Sequence, residues 1–76
     1  MYRLLIADDE DDERKGIRFL LNRGGFEFQV REAVDGKEAL AMLRDEPADI
    51  LLTDVKMPFL SGIELATEAR KCLPDI

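Results

Sequence analysis

The sequence predicts an α/β fold built around a doubly wound parallel sheet, because strand-like and helical segments alternate along the chain in the order βαβαβα. Two strand-like segments, residues 4–7 and 50–53, are short continuous apolar runs, which are typical of strands buried on both faces of a parallel sheet. Parallel strands of this kind are joined by right-handed helical crossovers. All of residues 1–76 are therefore expected to belong to one domain, with no second domain in this chain.

The first half of the chain is expected to form a strand, a helix and a second strand. Residues 2–7 are the first strand, and Asp9 is the predicted N-cap of a helix that ends near Arg23. The glycines at 24–25 supply the helix C-cap and the turn that follows it. The second strand lies within residues 26–34, where alternating apolar and polar residues indicate an edge strand with one wetter face.

Two predicted capping boxes, residues 35–38 and 61–64, begin the second and third helices. These helices are expected to end near residues 46–47 and near Pro74, where proline cannot continue a helix. Residues 50–53 form the third strand, which is expected to be central in a complete sheet. The residues expected to face the core from the three helices are Ile17, Leu20, Leu21, Ala39, Leu40, Leu43, Leu65, Ala66, Ala69 and Leu73.

The net charge of −6 has a local origin in six consecutive acidic residues, 8–13. The chain holds 17 acidic and 11 basic residues, so the two kinds are equal in number outside that run. Direct nucleic-acid contact by this segment is not expected, because phosphates are bound by Lys and Arg. Residues 10–13 are interpreted as solvated acids at the positive end of a helix. No apolar run approaches the roughly 20 residues of a membrane span, so no membrane contact is expected.

Cysteine and histidine content restrict the chemistry further. Cys72 is the only cysteine, so an internal disulfide is excluded and a reducing, cytoplasmic location is expected. Its place beside Leu73, late in a helical segment, predicts a buried and unreactive thiol. The absence of histidine removes the commonest general base and zinc ligand.

Carboxylates directly follow both apolar runs. Asp8 and Asp9 come after residues 4–7, and Asp54 comes after residues 50–53. Neighbouring parallel strands end at the same edge of a sheet, which is where ligands bind in such folds, so these carboxylates are expected to converge. Their mutual repulsion favours a hard divalent cation with oxygen ligands, above all Mg²⁺. Such a site suits phosphoryl transfer, with Asp54 as the nucleophile that forms an acyl phosphate.

Residues 4–10 and 50–58, followed by Gly62, closely resemble the receiver domain of two-component response regulators, and residues 35–36 fit as well. The resemblance spans the whole chain. It implies a flavodoxin-like doubly wound parallel sheet with strand order 2-1-3, in which this chain supplies three of five βα units. The residues around Asp54 also resemble regulators that carry an AraC-type DNA-binding output domain.

The resemblance further implies that Asp54 is phosphorylated by a partner sensor histidine kinase and that Asp8 and Asp9 bind Mg²⁺. It implies that the backbone carbonyl of Lys56 completes the metal site. The module would be a phospho-acceptor and not an enzyme, and it would reach DNA only through a separate output domain. The Ser/Thr of the fourth strand and the Lys of the fifth are absent, so impaired phosphotransfer is expected. The residues that would shape the loop are Met57, Pro58 and Gly62.

Two other functions stay open. A structural half-domain could form homo-oligomers through the apolar edge of residues 50–53, without phosphotransfer. A haloacid-dehalogenase-like phosphatase would also use a strand-end Asp with Mg²⁺, but it needs a second Asp two residues after Asp54. Lys56 stands at that position, so this function ranks last. A calcium-binding loop at residues 8–13 is discounted, since the required mid-loop glycine is missing.

Overall fold

The structure is a computed structural model that describes residues 1–25 and 27–76. The predicted order βαβαβα is confirmed. Phe26, which belongs to the segment expected to contain the second strand, lies outside the described residues. The elements are β1 (Tyr2–Ala7), α1 (Asp11–Arg23), β2 (Phe28–Ala33), α2 (Gly36–Asp45), β3 (Ile50–Thr53) and α3 (Gly62–Cys72).

The described strands form a parallel sheet in the order β2-β1-β3, which confirms the flavodoxin-like order 2-1-3. Strand β1 is central and pairs with β2 along its full length and with β3 from Leu4 onward. Ala7 lies opposite both Ala33 and Thr53, so all three strands end at the same edge of the sheet. Whatever follows these strands is therefore brought together there.

Helices α2 and α3 cover one face of the sheet and enclose its hydrophobic core. Leu5 and Ala7 point to this face, because they alternate along β1 with residues that point the other way. Their side chains are fully buried, as are Leu43 of α2 and Leu65 of α3. The core cluster consists of Leu5, Ala7, Ala33, Ala39, Leu43, Ala48, Leu65 and Ala69.

Helix α1 lies on the opposite face, where Leu4 and Ile6 are also buried. Arg14 of this helix is only 8% exposed, and its Nε donates to Oε1 of Glu32 on β2 at 3.0 Å. Leu52, which lies beside Ile6 in the register, stays 44% exposed because α1 does not reach across to β3. No helix of the described chain is long and apolar enough to cross a membrane.

Three predictions of burial are wrong. Leu20 is 67% exposed, since α1 contacts the sheet along the side that carries Arg14 and the half-buried Ile17 and Leu21. Ala66 and Cys72 of α3 are exposed as well, so the predicted buried thiol is an accessible one. Ala66 faces an open groove beyond the edge strand β3, which explains why periodicity within the helix overestimated its burial.

The predicted N-caps are right for α2 and α3 and wrong for α1. At α3 the capping box is complete, with Ser61 and Glu64 bonded reciprocally. At α2 the Asp35 side chain caps the helix by accepting the N–H of Glu38, but the Glu38 carboxylate bonds one residue further back, so the predicted box is not closed. At α1 the N-cap is Glu10 and not Asp9, and the backbone N–H of Glu10 donates to Oδ1 of Asp8.

Candidate functional site

Asp8 and Asp54 lie side by side at the edge where the strands end. The N–H of Asp8 donates to the carbonyl of Ala33 (3.1 Å), and the N–H of Asp54 donates to the carbonyl of Ala7 (2.9 Å). Each aspartate therefore continues the sheet by one residue and is held by the neighbouring strand. A carboxylate oxygen of Asp8, one of Asp54 and one of Glu13 all lie within 4.8 Å of one another. These three carboxylates are called the acidic cluster below.

Asp8 is the most enclosed member of the acidic cluster, with 4% of its surface exposed. Its Oδ1 accepts the backbone N–H of Glu10 at 2.9 Å, which fixes the carboxylate at the start of α1. Its backbone carbonyl accepts a hydrogen bond from Nη1 of Arg14 at 2.7 Å. The same guanidinium also binds Asp11 and Glu32, so Arg14 anchors the strand end and is not aimed at the cluster carboxylates.

Asp54 is half-buried, and only one of its carboxylate oxygens is engaged. Its Oδ1 accepts the backbone N–H of Val55 at 2.8 Å. In the part of the chain that the structure describes, no group donates a hydrogen bond to Oδ2. A carboxylate fixed through one oxygen, with the other oxygen free, is oriented for nucleophilic attack or for binding a cation.

Glu13 is the member of the site that sequence reasoning missed. The acids at 10–13 were interpreted as solvated, and Glu13 is indeed exposed, but one of its carboxylate oxygens also lies within 4.8 Å of the carboxylates at the strand ends. A hydrogen bond with the carboxylate of Asp8 and the charge of that group raise the pKa of Glu13 to about 7, with smaller contributions from Glu10 and Asp54. The available signal was position: Glu13 is the third residue of α1, and side chains there lean toward the helix N-terminus.

The carboxylate of Asp9 does not belong to the group of oxygen atoms formed by Asp8, Glu13 and Asp54. Asp9 is exposed and lies outside the acidic cluster, although it follows Asp8 directly. Lys56 is exposed in the loop after Asp54. The metal-binding role of Asp9 and of the Lys56 carbonyl stays a prediction.

The loop between β3 and α3 is folded tightly against Asp54. Gly62 is buried, and a Cβ at its position would overlap the backbone carbonyl oxygen of Asp54, so only glycine fits there. Its N–H donates to the carbonyl of Val55 at 2.9 Å, which closes the loop on itself. Phe59 has a positive φ of 69° and an exposed side chain, a backbone conformation that costs about 1–2 kcal/mol for a residue of this kind.

Met57 and Pro58 occupy the middle of the same loop. Met57 is half-buried, and its sulfur accepts a hydrogen bond from the hydroxyl of Thr53 at 4.0 Å. The carbonyl of Pro58 accepts the N–H of Leu60 at 2.8 Å, which makes a tight turn. Both residues therefore help to set the path by which the chain leaves Asp54.

The donor atoms of the acidic cluster fit a small divalent cation. Carboxylate oxygens on opposite sides of a bound Mg²⁺ ion lie roughly 4.2 Å apart, so oxygens within 4.8 Å of one another need only small side-chain adjustments to bind it. In residues 1–25 and 27–76, no Lys or Arg forms an ion pair with any of the three carboxylates. A site with this charge attracts a cation.

Comparisons with known proteins agree with this geometry. The family model for the response regulator receiver domain matches residues 4–75. The response regulator receiver protein CpdR of Brucella abortus (strain 2308) is 38% identical over 76 residues, which are the whole of this chain and 62% of that protein. The chain thus spans less than two thirds of the length of this relative.

Solved structures of a two-component regulator and of a receiver domain are also similar to this chain. A two-component transcriptional regulator AraC from Clostridium phytofermentans ISDg superposes with a TM-score of 0.89 and 39% identity, covering 99% of this chain and 61% of that one. The receiver domain of the hybrid histidine kinase CckA superposes with a TM-score of 0.79 and 38% identity, covering 93% of this chain and 66% of that one. With its parallel sheet in the order 2-1-3 and its acidic strand ends, this chain belongs to the response regulator receiver domain family.

Proposed function

We propose that this receiver domain is a Mg²⁺-dependent phospho-acceptor, phosphorylated on Asp54 in the cytoplasm by a partner sensor histidine kinase. The observation that carries the proposal is the convergence of Asp54 with Asp8 at the strand ends, with Oδ2 of Asp54 left without a donor. A phospho-acceptor needs an anionic nucleophile beside a cation-binding group, and this edge of the sheet supplies both. DNA would be contacted only by a separate output domain, a proposal that is supported by the similarity to a two-component transcriptional regulator AraC.

In the proposed reaction, an oxygen of Asp54 attacks the phosphorus of a phosphohistidine on the kinase. The new O–P bond forms as the P–N bond breaks, and the imidazole nitrogen keeps the electron pair and takes a proton from water. Mg²⁺, when bound, supplies the charge that neutralises the phosphoryl oxygens. The proposed ligands are the carboxylates of Asp8, Asp9 and Asp54 and the carbonyl of Lys56. The loop residues Met57, Pro58 and Gly62 hold Asp54 in place.

The 76-residue chain is expected to accept a phosphoryl group slowly. No lysine of the described residues forms an ion pair with the acidic cluster, so the bound phosphoryl group would lack the cationic side chain that usually shares its charge in this family. In this proposal the domain takes the phosphoryl group onto its own Asp54 and is not an enzyme that acts on a separate substrate.

The proposal is tested by phosphorylation with acetyl phosphate, read by intact-mass spectrometry as the addition of one phosphoryl group. We expect labelling of the unaltered chain in Mg²⁺ and none in the Asp54→Asn variant. Asp12→Asn is the matched control, because Asp12 is an exposed acid of α1 outside the acidic cluster. Equal labelling of the unaltered chain and Asp54→Asn would exclude Asp54 as the acceptor, and labelling that is unchanged by EDTA would exclude the dependence on Mg²⁺.

A second candidate function is structural, namely homo-oligomer formation through β3. The specific observation is that β3 lies at the sheet edge in the described residues while Ile50 and Leu52 remain substantially exposed. An apolar edge strand with unpaired backbone groups pairs readily with a second chain. Two copies could cover each other's edge without any phosphotransfer.

Sedimentation velocity tests the structural candidate, because it measures whether the chain forms a dimer. We expect a dimer that Leu52→Lys dissociates, whereas Phe19→Lys, an exposed apolar residue of α1 far from the strand edge, leaves it intact. A chain that stays monomeric at millimolar concentration excludes the structural function.

A further inference from the structure

Glu13 differs from the other glutamates that hold the third position of a helix. In α2 the carboxylate of Glu38 accepts the backbone N–H of Val34 at 3.2 Å. In α3 the carboxylate of Glu64 accepts the backbone N–H of Ser61 at 3.2 Å. Both therefore bind backbone donors at the start of their helices, which is the usual use of this position. Among the described residues, no backbone N–H donates to Glu13.

The difference at α1 comes from Asp8. Its Oδ1 accepts the N–H of Glu10, the N-cap residue, so this backbone donor is not available to the side chain of Glu13. Glu13 instead places a carboxylate oxygen within 4.8 Å of Asp8 and of Asp54. A hydrogen bond between Glu13 and Asp8 offsets part of the repulsion between these acidic groups.

No Lys or Arg of the described chain forms an ion pair with the acidic cluster. The guanidinium of Arg14 donates to the backbone carbonyl of Asp8 and to the carboxylates of Glu32 and Asp11. Its two ion pairs, with Asp11 and Glu32, both lie outside the acidic cluster. The carboxylate oxygens of the acidic cluster are therefore not paired with a cationic side chain of the described residues.

We infer that Glu13 is a further direct ligand of the divalent cation, in addition to the ligands of the proposed function. The inference rests on the proposed function and adds a ligand that its resemblance to known receivers does not assign. Glu13 joins Asp8 and Asp54 in one group of carboxylate oxygens that lie within 4.8 Å of one another. A Mg²⁺ site is usually built from one or two carboxylates and several waters. A further carboxylate strengthens binding and leaves fewer positions for water.

Isothermal titration calorimetry of the purified chain with Mg²⁺, repeated with Mn²⁺ by electron paramagnetic resonance, tests the inference without any phosphotransfer. We expect Glu13→Gln to weaken binding at least about 10-fold, since even outer-shell changes cost that much in metal sites. Glu13→Asp keeps the charge but shortens the side chain, so a ligand role predicts a similar loss. Asp12→Asn removes the same charge one residue away and is expected to change binding less than about 3-fold.

Each outcome has a distinct meaning. If Glu13→Asp binds Mg²⁺ as the unaltered chain does, or if Glu13→Gln loses no more affinity than Asp12→Asn, the ligand role of Glu13 is refuted while the proposed function stands. If the unaltered chain binds neither cation, both proposals fail. Circular dichroism of every variant verifies that the helices are intact, and the exposed position of Glu13 makes unfolding by these substitutions unexpected.

Discussion

The two faces of the sheet are held in different ways. On one face, α2 and α3 bury Leu5, Leu43 and Leu65 completely in a continuous apolar core. On the other face, α1 covers buried apolar side chains of β1, and its Arg14 and Arg18 both add ion pairs with Glu32 on the edge strand β2. The first face is closed, and the second leaves an apolar strip along β3 open to solvent.

The difference shows how stability and function are divided in this small domain. The core between the sheet and helices α2 and α3 is apolar, and it supports the strand ends that carry Asp8 and Asp54. The α1 face adds ion pairs to its apolar contacts, and its helix brings Glu13 to the acidic cluster. Substitutions on the closed face are therefore expected to unfold the chain, whereas substitutions on the α1 face change how firmly one helix is held beside the site.

The largest effect is expected from Leu65→Ala on the closed face. Leu65 is fully buried, and removing a buried leucine side chain costs about 2–5 kcal/mol of the free energy of unfolding. The matched substitution Leu20→Ala on α1, where the side chain is mostly exposed, is expected to cost less than about 1 kcal/mol. Urea denaturation measures both, and equal losses would show that the two faces are alike.

The second effect concerns glycines on the two faces. Gly62→Ala places a Cβ against the carbonyl of Asp54, and relief of this overlap is expected to cost about 2–3 kcal/mol and to displace the loop beside the acidic cluster. Gly16→Ala on α1 meets no atom within 4 Å and is expected to stabilise the chain by up to about 1 kcal/mol. Thermal unfolding compares the two variants, and a destabilising Gly16→Ala would contradict the open packing around α1.

The third effect tests the ionic attachment of α1. Arg14→Met removes a nearly buried guanidinium with three hydrogen-bonded partners and is expected to cost about 2 kcal/mol, because Glu32 and the Asp8 carbonyl lose their donor. Arg18→Met, which alters a more exposed pair with the same Glu32, is expected to cost less than about 1 kcal/mol. Amide hydrogen exchange of α1 reports the loss directly, and unchanged protection in Arg14→Met would refute the ionic attachment.

The smallest effect is expected at Asp49, which ties the start of β3 to β1. The backbone N–H of Arg3 donates to its Oδ2 at 2.8 Å, and this bond, together with the guanidinium of Arg3, lowers the pKa of Asp49 below 3.8. A carboxyl whose pKa is lower in the folded state stabilises the fold above its unfolded pKa, and the contribution is lost as the pH falls below about 4. The urea midpoint of the unaltered chain is expected to be lower at pH 3 than at neutral pH. This drop is expected to be slightly smaller in the Asp49→Asn variant, whereas the control variant Asp45→Asn is expected to show the same drop as the unaltered chain.

Much of the fold was predictable because local signals agreed with one another. The run at residues 4–7, the glycines after α1 and the Ser61–Glu64 box each specify an element through their own chemistry, and the structure has all of them. The convergence of Asp8 and Asp54 followed from strand order alone. Glu13 was missed because an acid at the start of a helix is usually only solvated, and nothing in the local sequence shows that Asp8 takes the N–H of Glu10 and that Glu13 lies beside the strand ends.

The order of the elements, the parallel sheet and the residues at its carboxyl edge could be predicted from short segments, because hydrophobic periodicity and capping are local properties. Which apolar side chains are covered depends instead on the packing of the elements. Leu20 and Leu65 were both predicted to face the core, yet one is exposed and the other buried, since burial depends on what packs against each helix. The same holds for the acidic cluster, whose third member is chosen by the path of α1 across the sheet.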